Sequence, residues 1–100
     1  MRSGITPTFR KLLKRLPPDA RKDAIKAYRL WKTNPYHPAL HFKEIKIDKI
    51  RSVWSVRTEL NYRALGIKPQ ADLIMWYWIG PHTEYDLLIT SRRAKKAQIP

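Results

Sequence analysis

The chain has 100 residues, no cysteine, and 21 Lys and Arg against eight Asp and Glu, a formal charge of +13 at neutral pH. A chain of this length makes one domain with a modest core, and 43% hydrophobic residues with 11% aromatics exclude disorder over most of its length. The missing cysteines exclude disulfides, thiolate metal sites and cysteine nucleophiles, while the cationic excess points to a polyanionic partner.

Phe9, Leu12, Leu13 and Leu16 fall at i, i+3, i+4 and i+7, one face of a helix, with Arg10, Lys11, Lys14 and Arg15 around the rest. Pro17-Pro18 stops that helix. Pro18 then suits the first position of a second helix, with Asp19 at its positive end. Ala20, Ala24, Ala27, Tyr28 and Trp31 form the next apolar stripe, and Asn34-Pro35 ends it, because a residue before proline avoids helical angles. The pattern predicts a helical hairpin over residues 8–16 and 19–33.

The period then changes to two. Leu40 to Ile47 alternates, with Leu40 and Phe42 on one side and His41 and Lys43 on the other. Asp48-Lys49 can turn. In the next strand Trp54, Val56 and Thr58 face one way, Ser55 and Arg57 the other. Glu59-Leu60-Asn61 turns into a strand from Tyr62 to Lys68, followed by a loop over residues 69–72. Leu73 to Ile79 is continuously apolar, as in a central strand covered on both faces, and Gly80-Pro81 is expected to break it. At seven residues it falls far short of the roughly 20 a membrane-spanning helix needs. Thr83-Glu84-Tyr85-Asp86 reads as a capping box opening a short last helix. Residues 91–100, with Arg92, Arg93, Lys95 and Lys96, lack an apolar pattern and are expected to form a disordered basic tail.

The expected architecture is α+β: an N-terminal helical hairpin on one face of a four-stranded, largely antiparallel sheet, closed by a short C-terminal helix, with residues 1–90 as the single domain. The other face stays partly open, where Arg57, Lys43 and Arg63 can line it. The first eight residues lack the apolar core of a secretory leader, so the expected location is cytoplasmic.

The segments Asn34-Pro-Tyr-His-Pro-Ala-Leu-His-Phe-Lys43, Trp54-Ser-Val-Arg57, Asn61-Tyr-Arg-Ala-Leu-Gly66 and Trp76-Tyr-Trp-Ile-Gly-Pro-His-Thr-Glu-Tyr-Asp86, in that order over residues 8–90, resemble the RelE/ParE superfamily of toxins from bacterial toxin–antitoxin modules. The resemblance implies a toxin neutralised by a cognate antitoxin, for which an acidic amphipathic segment is expected. RelE-like members cut mRNA in the ribosomal A site without metal or other cofactor. ParE-like members poison DNA gyrase instead. The expectation taken forward is the RelE-like endoribonuclease, with mRNA and ribosomal RNA as partners and no membrane. The alternatives are a gyrase inhibitor and a non-toxic basic nucleic-acid-binding relative.

Cutting RNA without a metal requires a base for the 2′-OH proton, an acid for the leaving 5′-oxygen and a cation for the phosphate charge. By resemblance, Arg63 matches the arginine at the scissile phosphate and Arg57 a basic strand position near it. His82 matches a position at the active-site edge, where an imidazole suits acid or base work. Tyr85 can stack on a base or donate a proton, and Glu84 is a further candidate base. The competing structural readings are a solvated Arg63 or one paired with Glu59, an outward Arg57, a loop His82, a packed Tyr85, and Glu84 and Asp86 as first-turn acids. Ser55 and Pro81 depart from the lysine-rich RelE pattern. Lys43, Lys46, Arg51, Lys11, Lys14 and Arg15 are the expected RNA phosphate contacts. His37 and His41 lack a third ligand, so no metal site is expected. Trp31, Trp54, Trp76 and Trp78 read as core.

Overall fold

Thr6 opens the first helix: its hydroxyl accepts the Phe9 N–H at 3.1 Å, and Pro7 takes the first turn, where no N–H is missed. The computed structural model describes residues 1–98, with side chains as far as Thr90. Helix α1 spans Pro7–Arg15 and α2 spans Pro18–Thr33, so the predicted hairpin is present with nearly the predicted bounds. The Arg21 guanidinium ties the two together, donating to the carbonyls of Lys14 and Leu16 at 3.4 and 3.2 Å. Those are carbonyls that a helix end leaves without partners.

The sheet has five strands, not four: β1 (Arg2–Ile5), β2 (Lys43–Lys46), β3 (Ser52–Glu59), β4 (Tyr62–Gln70) and β5 (Leu73–Pro81), in the order β1-β5-β4-β3-β2. The added strand pairs parallel with β5, Arg2 opposite Leu73 and Ile5 opposite Trp76. Its four residues, Arg-Ser-Gly-Ile, carry no alternation; pairing across the chain makes them a strand, by satisfying the outer backbone groups of β5. The other pairings are antiparallel, as expected. The segment before β2 differs from the predicted strand: Pro38–Leu40 form a 3-10 turn, capped by His37, whose Nδ1 accepts the Ala39 N–H at 3.1 Å.

The apolar run of β5 is explained by a bulge. Leu65 pairs with Trp78 but the next residue, Gly66, pairs with Trp76, leaving Tyr77 as the extra residue. The bulge reverses the side-chain phase. Ile74 and Trp76 face the hairpin before it and Ile79 after it, while Tyr77 and Trp78 pack on the opposite side. Gly66 makes the arrangement possible, since a Cβ there would lie 2.8 Å from the Trp76 ring.

Two clusters form the core. Between hairpin and sheet, Trp31 (1% exposed) packs edge-to-face on Trp76 and Phe42, with ring centroids 5.5 and 5.8 Å apart. On the other face Tyr85 and Ile89 of α3 (His82–Gln98) pack on Ile45, Val53 and Leu65. Trp31 and Trp76 are core as expected. Trp54 and Trp78 are only half-buried, and Lys68 Nζ sits 3.8 Å over the Trp54 ring.

The start of α3 corrects two expectations. Gly80-Pro81 does not break β5, since Pro81 still pairs with Tyr62. The helix begins at His82, so Thr83 lies inside its first turn and does not cap it. The His82 N–H is instead taken by the Asn61 carbonyl at 2.6 Å, from the turn between β3 and β4. The backbone of α3 runs to Gln98, longer than the short helix expected. The expected disorder of residues 91–100 otherwise falls outside the described side chains. Among the described residues, no helix is long and apolar enough to cross a membrane.

Candidate active site

Strand alternation sorts β3 and β4 into two faces. Trp54, Val56 and Ala64 turn to the hairpin; Val53, Ser55, Arg57, Arg63 and Leu65 turn to the side of α3. Because α3 covers only part of that second face, a polar depression of about 380 Å³ remains beside it. His41, Lys43, Ser55, Arg63, His82, Tyr85 and Asp86 line it. A shallower depression of about 530 Å³ continues past it, lined by Arg57, Asn61 and Thr83, and shares Arg63 and His82 with the first.

Arg63 therefore stands where the two depressions meet. Its guanidinium NH1 donates to the carbonyls of Tyr62, Glu59 and Leu60 at 3.0, 3.2 and 3.4 Å, so the β3–β4 turn fixes its position. Glu59 offers its carbonyl only; its carboxylate accepts the Asn61 N–H at 2.6 Å. Burial, and then the Arg57 charge, push the Arg63 guanidinium below its usual range, partly offset by Tyr85, Asp86 and Glu59. It stays cationic at neutral pH all the same. Arg57 is the cross-strand partner of Arg63. Among the described residues no carboxylate lies within ion-pair distance of either arginine.

His82, first in α3, places Nδ1 3.0 Å from Asp86 Oδ2, one helical turn on. A carboxylate can only accept, so Nδ1 carries the proton of that bond and Nε2 is left for exchange with a substrate. The Tyr85 ring, 9% exposed, lies 6.2 Å from the His82 ring and belongs mainly to the second core cluster, with an edge on the depression.

Other candidates lie elsewhere. Glu84 lines neither depression; its carboxylate lies by Gly80, beside Trp78. Lys43 lines the first depression. Lys46 is exposed on β2 opposite Ser52 and lines neither. Arg51 is held in the β2–β3 turn by Asp48, with Nε and NH2 both 2.8 Å from Oδ2. Lys11, Lys14 and Arg15 sit on α1, across the sheet from the depression. Asp86, His41 and Ser55 line the first depression and were absent from the sequence candidates. The i, i+4 spacing of His82 and Asp86 was a usable signal, hidden by the capping reading. His41 was visible as the residue in antiphase with Leu40 and Phe42.

The fold has counterparts among solved structures. The RelE–RelB complex of the archaeon Pyrococcus horikoshii matches with a TM-score of 0.61 at 15% identity, covering 80% of this chain and 92% of that one. The RelB–RelE complex of Methanococcus jannaschii matches with a TM-score of 0.57 at 23% identity over 83% and 95% of the two chains. A copper-bound mutant toxin from Helicobacter pylori matches with a TM-score of 0.54 at 17% identity over 84% and 97%. No protein-family model and no curated protein matches the sequence significantly. The chain has the fold of RelE toxins.

Proposed function

We propose that this chain, built on the RelE toxin fold, is the toxin of a toxin–antitoxin pair and acts as an endoribonuclease on ribosome-bound mRNA. The observation that supports this most is the shared lining of the two depressions: Arg63 and His82 between them, Arg57 on one side and Lys43 on the other. A scissile phosphate on Arg63 would have its growing charge met by a planar fork of donors. The nucleotides on either side would lie in the two depressions. His82, held by Asp86, is in place to give or take a proton at Nε2. The cation and one proton-transfer group are then both side chains of this protein.

The test is to add purified protein to a translating extract and map the mRNA ends. New ends within coding regions, lost in Arg63→Ala, are expected; intact mRNA rejects the proposal. One observation favours a second reading, a gyrase inhibitor. Ser55, 2% exposed in the floor of the depression, and Pro81, at the end of β5, stand where a lysine-rich nuclease would carry lysines. Inhibition of supercoiling by intact protein, with mRNA untouched, would select that reading.

The solved neighbours from Pyrococcus and Methanococcus are complexes with RelB. For this chain we assign the corresponding partner to the face away from the depression. A cleft of about 310 Å³ between hairpin and sheet is lined almost wholly by apolar groups, with Ile5, Ile25 and Tyr28 exposed at its rim. Arg10, Lys14, Lys22, Arg29 and Lys32 are exposed on α1 and α2, the helices whose apolar residues line it. An acidic amphipathic segment complements both features.

A further inference from the structure

We propose that His41 is a second catalytic imidazole, acting with His82 on the same phosphate. The inference rests on the nuclease reading above and goes beyond it by naming the partner in proton transfer.

His41 is flanked by two anchors. Leu40 (2% exposed) and Phe42 (8%) both enter the core on the hairpin side, so the residue between them is turned to the other face. There it lines the depression that holds Arg63 and His82. The backbone adopts φ 47° and ψ 42°, the left-handed region, and His41 is the one non-glycine residue with positive φ among the described residues. It is the residue that closes the Pro38–Leu40 turn, a place where left-handed backbone is common and which histidine adopts more readily than most side chains. Asparagine or glycine would meet the backbone requirement more easily. The neighbouring His37 has an ordinary structural role, capping the 3-10 turn, whereas among the described residues no such bond occupies the His41 ring.

The two rings stand on different walls. His41 comes from the segment leading into β2, His82 from the first turn of α3. The charged and titratable groups around them are Lys43, Arg63, Tyr85 and Asp86. Asp86 accepts from His82 Nδ1, so Nε2 is the ring atom left to hand over a proton. His41 has no carboxylate within ion-pair distance among the described residues, and shares its wall with Lys43. His41 is therefore assigned as the base and His82 as the acid. The 2′-oxygen bonds to phosphorus as its proton passes to His41. The P–O5′ bond breaks as His82 delivers a proton to O5′. The products are a 2′,3′-cyclic phosphate and a 5′-hydroxyl, and proton exchange with solvent resets both rings.

The experiment compares wild type, His41→Gly, His41→Asn, His82→Gly and Arg63→Ala on programmed ribosomes, measuring binding, cleavage rate and end chemistry. Gly and Asn both accept the left-handed backbone, so the fold is kept. Both His41 variants should bind ribosomes within about twofold of wild type and cleave about 10² to 10³-fold more slowly. Free imidazole should restore part of the His41→Gly rate and none of the Arg63→Ala rate. Cleavage by His41→Asn within about threefold of wild type overturns the proposal while leaving the nuclease reading intact. A loss in His41→Gly that imidazole does not restore, beside a rescued His82→Gly, makes His41 structural and also overturns it. No cleavage by wild type overturns both readings.

Discussion

Arg57 and Arg63 stand directly opposite each other on β3 and β4, two like charges in one cross-strand pair. Like charges in that position destabilise a sheet; burial first, and then the Arg57 charge, hold the Arg63 guanidinium below its usual range. For a cation, a lowered folded-state pKa means that the charged form is penalised on folding. The penalty is present at every pH below the folded pKa and is relieved only as pH rises through it, in strong alkali. Ordinary changes of pH therefore leave it in place; removing a charge or adding an anion relieves it.

Arg57→Gln is the cleaner substitution, because Arg63 also secures the β3–β4 turn through three carbonyls. It should stabilise the fold by on the order of 0.5 kcal/mol, a rise in Tm of about 2 to 4 °C. Cleavage should fall about tenfold or more through loss of a charge-assisted contact. Phosphate or sulfate should raise the Tm of wild type more than that of the variant. Calorimetry with and without phosphate checks both statements.

The His82–Asp86 pair is half-exposed, with side chains 44% and 56% accessible. Its contribution to stability is at most about 1 kcal/mol, but it sets which ring nitrogen is available. Asp86→Asn should leave Tm within a few degrees of wild type and slow cleavage by on the order of 10²-fold. Equal losses of stability and rate would mean that the pair serves the fold alone.

Gly66 tests the packing of the bulge. A Cβ there would lie 2.8 Å from the Trp76 ring, 3.0 Å from Ile74 Cγ1 and 3.1 Å from the Met75 carbonyl oxygen. Backbone on one side and a buried indole on the other leave little room to relax. Gly66→Ala should cost about 1 to 3 kcal/mol in urea denaturation, with cleavage per folded molecule unchanged.

The apolar cleft predicts a salt-sensitive partner. An acidic amphipathic helical peptide should bind with a change in tryptophan fluorescence, since Trp31 and Trp76 line the cleft. Affinity should weaken as salt screens the exposed cations of α1 and α2. Ile25→Glu, at the exposed rim, should weaken it about tenfold or more by replacing an apolar contact with a like charge. Unchanged binding by this variant would place the peptide elsewhere.

Much of this fold was legible because the signals were local. The stripe Phe9, Leu12, Leu13, Leu16 and the breaks at Pro17-Pro18 and Asn34-Pro35 lie within the elements they define. β1 was not legible, since nothing in Arg-Ser-Gly-Ile marks a strand until β5 lies beside it. The phase reversal in β5 depends on which residue of β4 faces which, so Trp78 could not be separated from Trp76 by pattern. The site divides in the same way. Arg57, Arg63 and His82 were picked out one by one, but their meeting depends on cross-strand register and on where α3 begins. Asp86 was assigned to capping because α3 was expected to start after Thr83, and the strand break expected at Gly80-Pro81 moved that boundary.

The most direct test of the central proposal is a side-by-side mapping of mRNA termini in a translating extract with wild type, Arg63→Ala and His82→Gly. The account predicts fragments with 5′-hydroxyl ends from wild type and at least a hundredfold fewer from either variant. Intact message with wild type, or the same fragments from all three proteins, would contradict it.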